Sequence, residues 1–126
     1  MQKQLRYQLI QATRLLAAEA EVQIQSLPSF VHIPDELALT FGDCFLTVKS
    51  KPKDVGLDDA TTEKMYQIDE LLAEMSSRTD LWTLDSLRNS PEWQRVRQEA
   101  QSCLLMLNEA QAPIDLGWLT FIGKEQ

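Results

Sequence analysis

At 126 residues, 44% of them apolar and 25% charged, the chain has the size and composition of one globular domain, which excludes wholesale disorder and leaves no room for two comfortable cores. Nineteen acids against twelve bases give a formal net charge of −7, a sign that repels nucleic-acid phosphate and anionic lipid and attracts basic proteins over about 8 Å. Five prolines and four glycines are too few for the many turns of an all-β sandwich.

The first segment places Leu5, Leu9, Ala12, Leu16 and Ala20 on one helical face, with Ile24 and Leu27 extending it, and predicts a helix from Lys3 to Gln25 that ends before Pro28. Its first fourteen residues carry Lys3, Arg6 and Arg14 and no acid. Pro34, followed by Asp35 and Glu36, marks a second helix start. Leu37, Phe41, Cys44 or Phe45, and Val48 then share a face, which favours a helix through Val48. A strand over Cys44 to Lys49 is the competing reading, since Gly42 can break a helix and Cys-Phe-Leu-Thr-Val is β-rich. Lys49, Lys51 and Lys53, with Pro52 and Gly56, form a basic loop.

The clearest helix runs from Asp58 to Ser76, with Asp58 or Asp59 as its cap and Met65, Ile68, Leu72 and Met75 as its buried stripe. A short helical turn is expected at Thr83 to Arg88. Ser90-Pro91-Glu92 then opens a helix to Asn108, whose apolar face of Trp93, Val96, Ala100, Cys103, Leu104 and Leu107, widened by Leu105 and Met106, suits a central position. The tail from Pro113, with Trp118, Leu119, Phe121 and Ile122, reads as a short strand or an irregular cover. The expected fold is an all-α, single-domain bundle of about four to five helices over residues 1–126.

Chemistry-bearing patterns are sparse. The single histidine, His32, excludes a histidine-pair metal site, and Cys44 and Cys103 lack metal-binding or redox spacing. A Cys44–His32 dyad would need an activated thiolate where periodicity puts a core residue. No phosphate-binding glycine loop and no nucleophile elbow occur. No catalytic residue, cofactor or metal is therefore expected. Lacking a signal-peptide core and any apolar run of membrane-spanning length, the chain is expected to be cytoplasmic.

The informative feature is the charge of the middle region. Residues 54–74 carry seven acids against Lys64 alone. At about 100° per residue, Asp59, Glu63, Glu70 and Glu74 gather on one side of the helix with Tyr66 and Gln67, nearly opposite the buried stripe. Acids four apart, as in Asp59–Glu63 and Glu70–Glu74, each destabilise a helix by about 0.2–0.5 kcal/mol. The face reads either as an ordinary solvated surface or as a docking ridge whose carboxylates pair with Lys and Arg of a partner, with Tyr66 as anchor. Trp82, beside the helix start at Thr83, reads either as a second anchor or, with Trp93, as a core residue between helices, and the core reading is preferred.

Asp35-Glu36-Leu37-Ala38-Leu39 with Phe41 and Asp43, Ile68-Asp69 with Leu71-Leu72 and Met75-Ser76, Leu81-Trp82-Thr83, and Pro91-Glu92-Trp93 with Val96-Arg97 occur in an order that resembles a family of small acidic bacterial proteins. Some of these belong with the immunity proteins of contact-dependent growth inhibition and other polymorphic toxin systems. The resemblance runs through residues 27–105 and consists of helix starts and core positions, without binding residues of its own. It implies a cytoplasmic protein that binds and neutralises a cognate toxin domain, commonly a basic nuclease. The expected partner is thus a basic protein, with no nucleic acid and no membrane, and the chain itself a monomer or a weak homo-oligomer. A structural or regulatory subunit that self-associates through Trp118, Leu119, Phe121 and Ile122 is the alternative, and a carboxylate-dependent enzyme the third reading.

Overall fold

The computed structural model describes residues 2–110 and 112–119. Among them are six helices and no strand: α1 (Lys3–Ala17), α2 (Ala20–Ser26), α3 (Ile33–Val48), α4 (Asp59–Met75), α5 (Leu84–Asn89) and α6 (Pro91–Leu107). The fold is all-α, as the periodicity predicts, and Cys44 to Val48 is helical. No described helix is long and apolar enough to cross a membrane.

The starts follow from local chemistry. The Asp58 carboxylate accepts from the Thr61 amide at 2.8 Å, the Thr83 hydroxyl from Ser86 at 3.0 Å, and the Ser90 hydroxyl from Trp93 at 3.2 Å, so α4, α5 and α6 each begin on a side-chain cap. At the far end of α6, Asn108 takes the left-handed conformation at φ 58°, and the Glu109 amide closes onto the Leu104 carbonyl.

The expected first helix is two. Between α1 and α2, Ala18 and Glu19 are extended although Ala-Ala-Glu-Ala is strongly helix-forming. The fully buried Gln23 explains how the break is held. Its amide nitrogen donates to the Leu15 and Leu16 carbonyls at 3.1 and 3.0 Å, satisfying the end of α1 from a turn later in the chain. Arg97 of α6 approaches the Gln23 oxygen at 3.4 Å and donates to the Leu87 carbonyl at 3.0 Å. Tertiary capping thus overrides propensity.

α1 and α6 form the centre, α3 packs on α1 and α4 on α6, while α3 and α4 touch only sparsely. The central core holds Leu9, Leu15, Leu16, Phe41, Met65, Ile68, Trp93 and Val96, all almost fully buried. Trp93 donates to the Leu81 carbonyl at 2.7 Å and meets half-buried Trp82 edge to face, ring centroids 5.3 Å apart. The loop after α3 is less free than its lysines suggest. Val55 and Leu57 are buried, and Arg6 donates to the Val55 and Gly56 carbonyls. Arg14, one of the three bases among the first fourteen residues, is buried against Glu109 at 2.7 Å.

The described part of the tail is an irregular cover. Ile114 and Leu116 pack on the core, the Gln11 oxygen accepts from the Asp115 amide at 2.7 Å, and Tyr7 donates to the Asp115 carboxylate. Thr120 to Gly123, where a strand was the other expectation, lie outside the described residues, as do Phe121 and Ile122 of the proposed self-association patch.

Candidate functional site

The six residues singled out on α4 lie where helical geometry sends them, on the side turned away from Met65, Ile68, Leu72 and Met75, which are at most 6% exposed. Asp59, Glu63, Gln67, Glu70 and Glu74 are exposed. Asp59 stands in the first turn, 3.9 Å from Lys53 at a fully solvated position where such a pair contributes little. Among the described residues Glu63, Glu70 and Glu74 have no ion-pair partner.

The reason is the direction of Lys64. It leaves α4 on the α6 side and binds Glu99 at 2.7 Å, and Arg95 holds the other oxygen of the same carboxylate at 3.2 Å. Lys64, first of all, holds the Glu99 carboxyl below its ordinary range. The one base of residues 54–74 is therefore engaged on the flank of the helix, and the acids of the outer face are left facing solvent. Gln67, Glu70 and Glu74 border a depression of about 230 Å³ whose opposite bank is Arg95 and Glu99.

Tyr66 is placed differently from its neighbours. Its ring meets Phe45 of α3 edge to face at 5.0 Å, and its hydroxyl points at the Lys49 carbonyl at 3.5 Å. It remains 38% exposed, so one edge is open at the margin of the acidic face while the other ties α4 to α3. The sequence grouped it with the acids because helical angle alone cannot register a neighbouring helix.

Beyond that tie, α3 and α4 leave a groove of about 740 Å³. It is lined by Ala38 and Leu39 from α3, Leu72 and Ala73 from α4, and Trp82, with Asp35 and Asp69 among its polar residues. The sequence reading missed it. Its signal was Leu39, an apolar residue off the core stripe of α3, which stands 55% exposed.

The groups weighed for chemistry do not converge. His32, just ahead of α3, pairs with Asp35 at 2.8 Å, while Cys44 lies twelve residues on, about 18 Å along a helix. Burial, with Asp43 beside it, pushes the Cys44 thiol up to about 11, and burial pushes Cys103 up to about 12. Both thiols are thereby held in the unreactive protonated form. No group of three or more His, Cys, Asp or Glu among the described residues is arranged to hold a metal ion.

Comparison with protein-family models, with curated proteins and with solved structures finds no match.

Proposed function

We propose that this chain is a cytoplasmic immunity-type protein that binds a basic toxin domain, of nuclease type, and neutralises it by covering it with the acidic face of α4. The observation that carries the reading is the exposure of Glu63, Glu70 and Glu74 without an ion-pair partner among the described residues, while Lys64 is committed to Glu99. Such a face steers a basic partner at long range and pairs with its Lys and Arg on contact. Tyr66, half open beside the acids, supplies an aromatic anchor of the kind enriched at the centre of interfaces. The family resemblance supplies the class of partner; the charge supplies its sign. A second reading, a subunit acting through self-association, draws on the exposed leucines of α3.

The test is a pull-down with tagged protein from its own cell extract and from the products of neighbouring reading frames. The wild type is expected to retain one basic protein at low salt and release it by about 0.5 M salt, where screening shortens to a few ångströms. The Glu63→Lys/Glu70→Lys variant is expected to retain none. Equal retention by wild type and folded variant removes the acidic face from the account.

A further inference from the structure

Helix α3 has two apolar sides. Leu37, Phe41 and Phe45 enter the core fully buried, whereas Leu39 and Leu46 look outward, 55% and 63% exposed. Between these leucines lies Gly42. Among the described residues a Cβ built there meets nothing within 4 Å, so their packing gives no reason for a glycine in mid-helix, where it is among the least favourable residues. What a bare backbone between two exposed leucines does allow is the close approach of another helix.

The same strip is charged at its ends with opposite signs. Asp35 lies in the first turn and Lys49 follows the last. At about 100° per residue, Asp35, Leu39, Gly42, Leu46 and Lys49 fall within about a quarter turn of one another. Reading the strip backwards gives the same order of chemistry: charge, leucine, glycine, leucine, opposite charge. That is the self-complementarity a two-fold contact needs, and a surface for an unrelated partner has no need of it.

We propose that this strip is the interface of a symmetric dimer, in which a second copy of the chain lays its α3 antiparallel on the first. The reversal sets Leu46 of each copy against Leu39 of the other, brings the two glycines together near the axis, and pairs Asp35 with Lys49 twice. Leu39 also lines the α3–α4 groove, so Leu46 of the second copy meets apolar space lined by Leu72 and Trp82 as well. The dimer does not depend on the binding of a basic partner by α4.

Sedimentation equilibrium of the full chain, from about 1 µM to about 1 mM, spans the range of weak association. The mass is expected to rise from 14.4 kDa toward twice that value with concentration. Leu46→Glu, at an exposed position, is expected to keep its helical circular dichroism and stay monomeric. Asp35→Lys and Lys49→Asp each place like charges together at both ends and are expected to self-associate at least about tenfold more weakly. Mixed in equal amounts, these two charge variants are expected to form a one-to-one dimer, because both end pairs are then restored. A wild type that stays at 14.4 kDa throughout overturns the proposal. So does a dimer that survives Leu46→Glu, or a mixture of the charge variants that remains monomeric while the wild type dimerises.

Discussion

The half of the bundle built on α1, α2 and α6 and the half built on α3 and α4 treat their charged and amide side chains in opposite ways. In the first, polar groups are buried and satisfied: Gln23 caps α1, Arg97 reaches the Leu87 carbonyl, and Arg14 meets Glu109. No buried side-chain nitrogen or oxygen among the described residues lacks a partner. In the second, the outer surface of α4 leaves Glu63, Glu70 and Glu74 without ion-pair partners among the described residues, and α3 exposes Leu39 and Leu46, as the end of α6 exposes Leu105 and Met106 although its broad apolar face was expected to be central. Orphaned polar groups cost stability only where water is excluded, so the first half must be complete to fold at all. The second half can leave charge and apolar area open, and open surface of that kind is what binding uses.

Substitutions break this comparison in order of size. The largest effect belongs to Trp93, fully buried and hydrogen-bonded to Leu81. Trp93→Ala is expected to cost about 3–5 kcal/mol in chemical denaturation, a large share of the roughly 5–15 kcal/mol that holds an ordinary domain folded. Gln23→Ala uncovers the Leu15 and Leu16 carbonyls and the Arg97 side chain, with an expected loss of about 1–3 kcal/mol. If Gln23→Ala unfolds like the wild type, the α1–α2 break does not depend on that cap.

On the other half the sign reverses. Gly42→Ala is expected to raise stability by about 0.5–1 kcal/mol at a protein concentration too low for self-association, since helix propensity improves and no atom of the described residues obstructs the methyl group. A lowered melting temperature would mean that α3 needs the glycine for its own packing. The smallest effect lies at the border of the halves, at Glu99, whose carboxyl is held below its ordinary range chiefly by Lys64. A depressed carboxylate contributes stability above its unfolded value, about 4.3 for Glu, and loses it as pH falls through the folded value. Glu99→Gln is therefore expected to cost at most about 1 kcal/mol at neutral pH and to flatten the decline of stability below about pH 4. An unchanged acid limb in pH-dependent unfolding would remove the Lys64–Glu99 pair from the stability account.

Where local chemistry decided the structure, the sequence was readable. The stripe of Met65, Ile68, Leu72 and Met75 and the start at Ser90-Pro91-Glu92 depend only on helical period and capping, and both appear in the fold as expected. The break after Ala17 was hidden because Gln23 holds it through tertiary contacts, against a helix-forming sequence. The direction of Lys64 was hidden because Glu99 lies thirty-five residues away. The groove was hidden because it is a property of how far α3 and α4 stand apart, which neither helix encodes alone. The tilt of Tyr66 onto Phe45 has the same origin.

The most direct test of the central claim is to measure binding and folding together on Glu63→Lys/Glu70→Lys. Calorimetric titration against the basic partner retained by the wild type gives the affinity, and thermal unfolding of the same preparation gives the stability. The account predicts an affinity at least about thirtyfold weaker, near 2 kcal/mol, with a melting temperature equal to or above that of the wild type, because the Glu70–Glu74 repulsion is relieved. An affinity within about twofold of the wild type in an equally stable variant would contradict it, leaving the acidic face of α4 as a solvated surface.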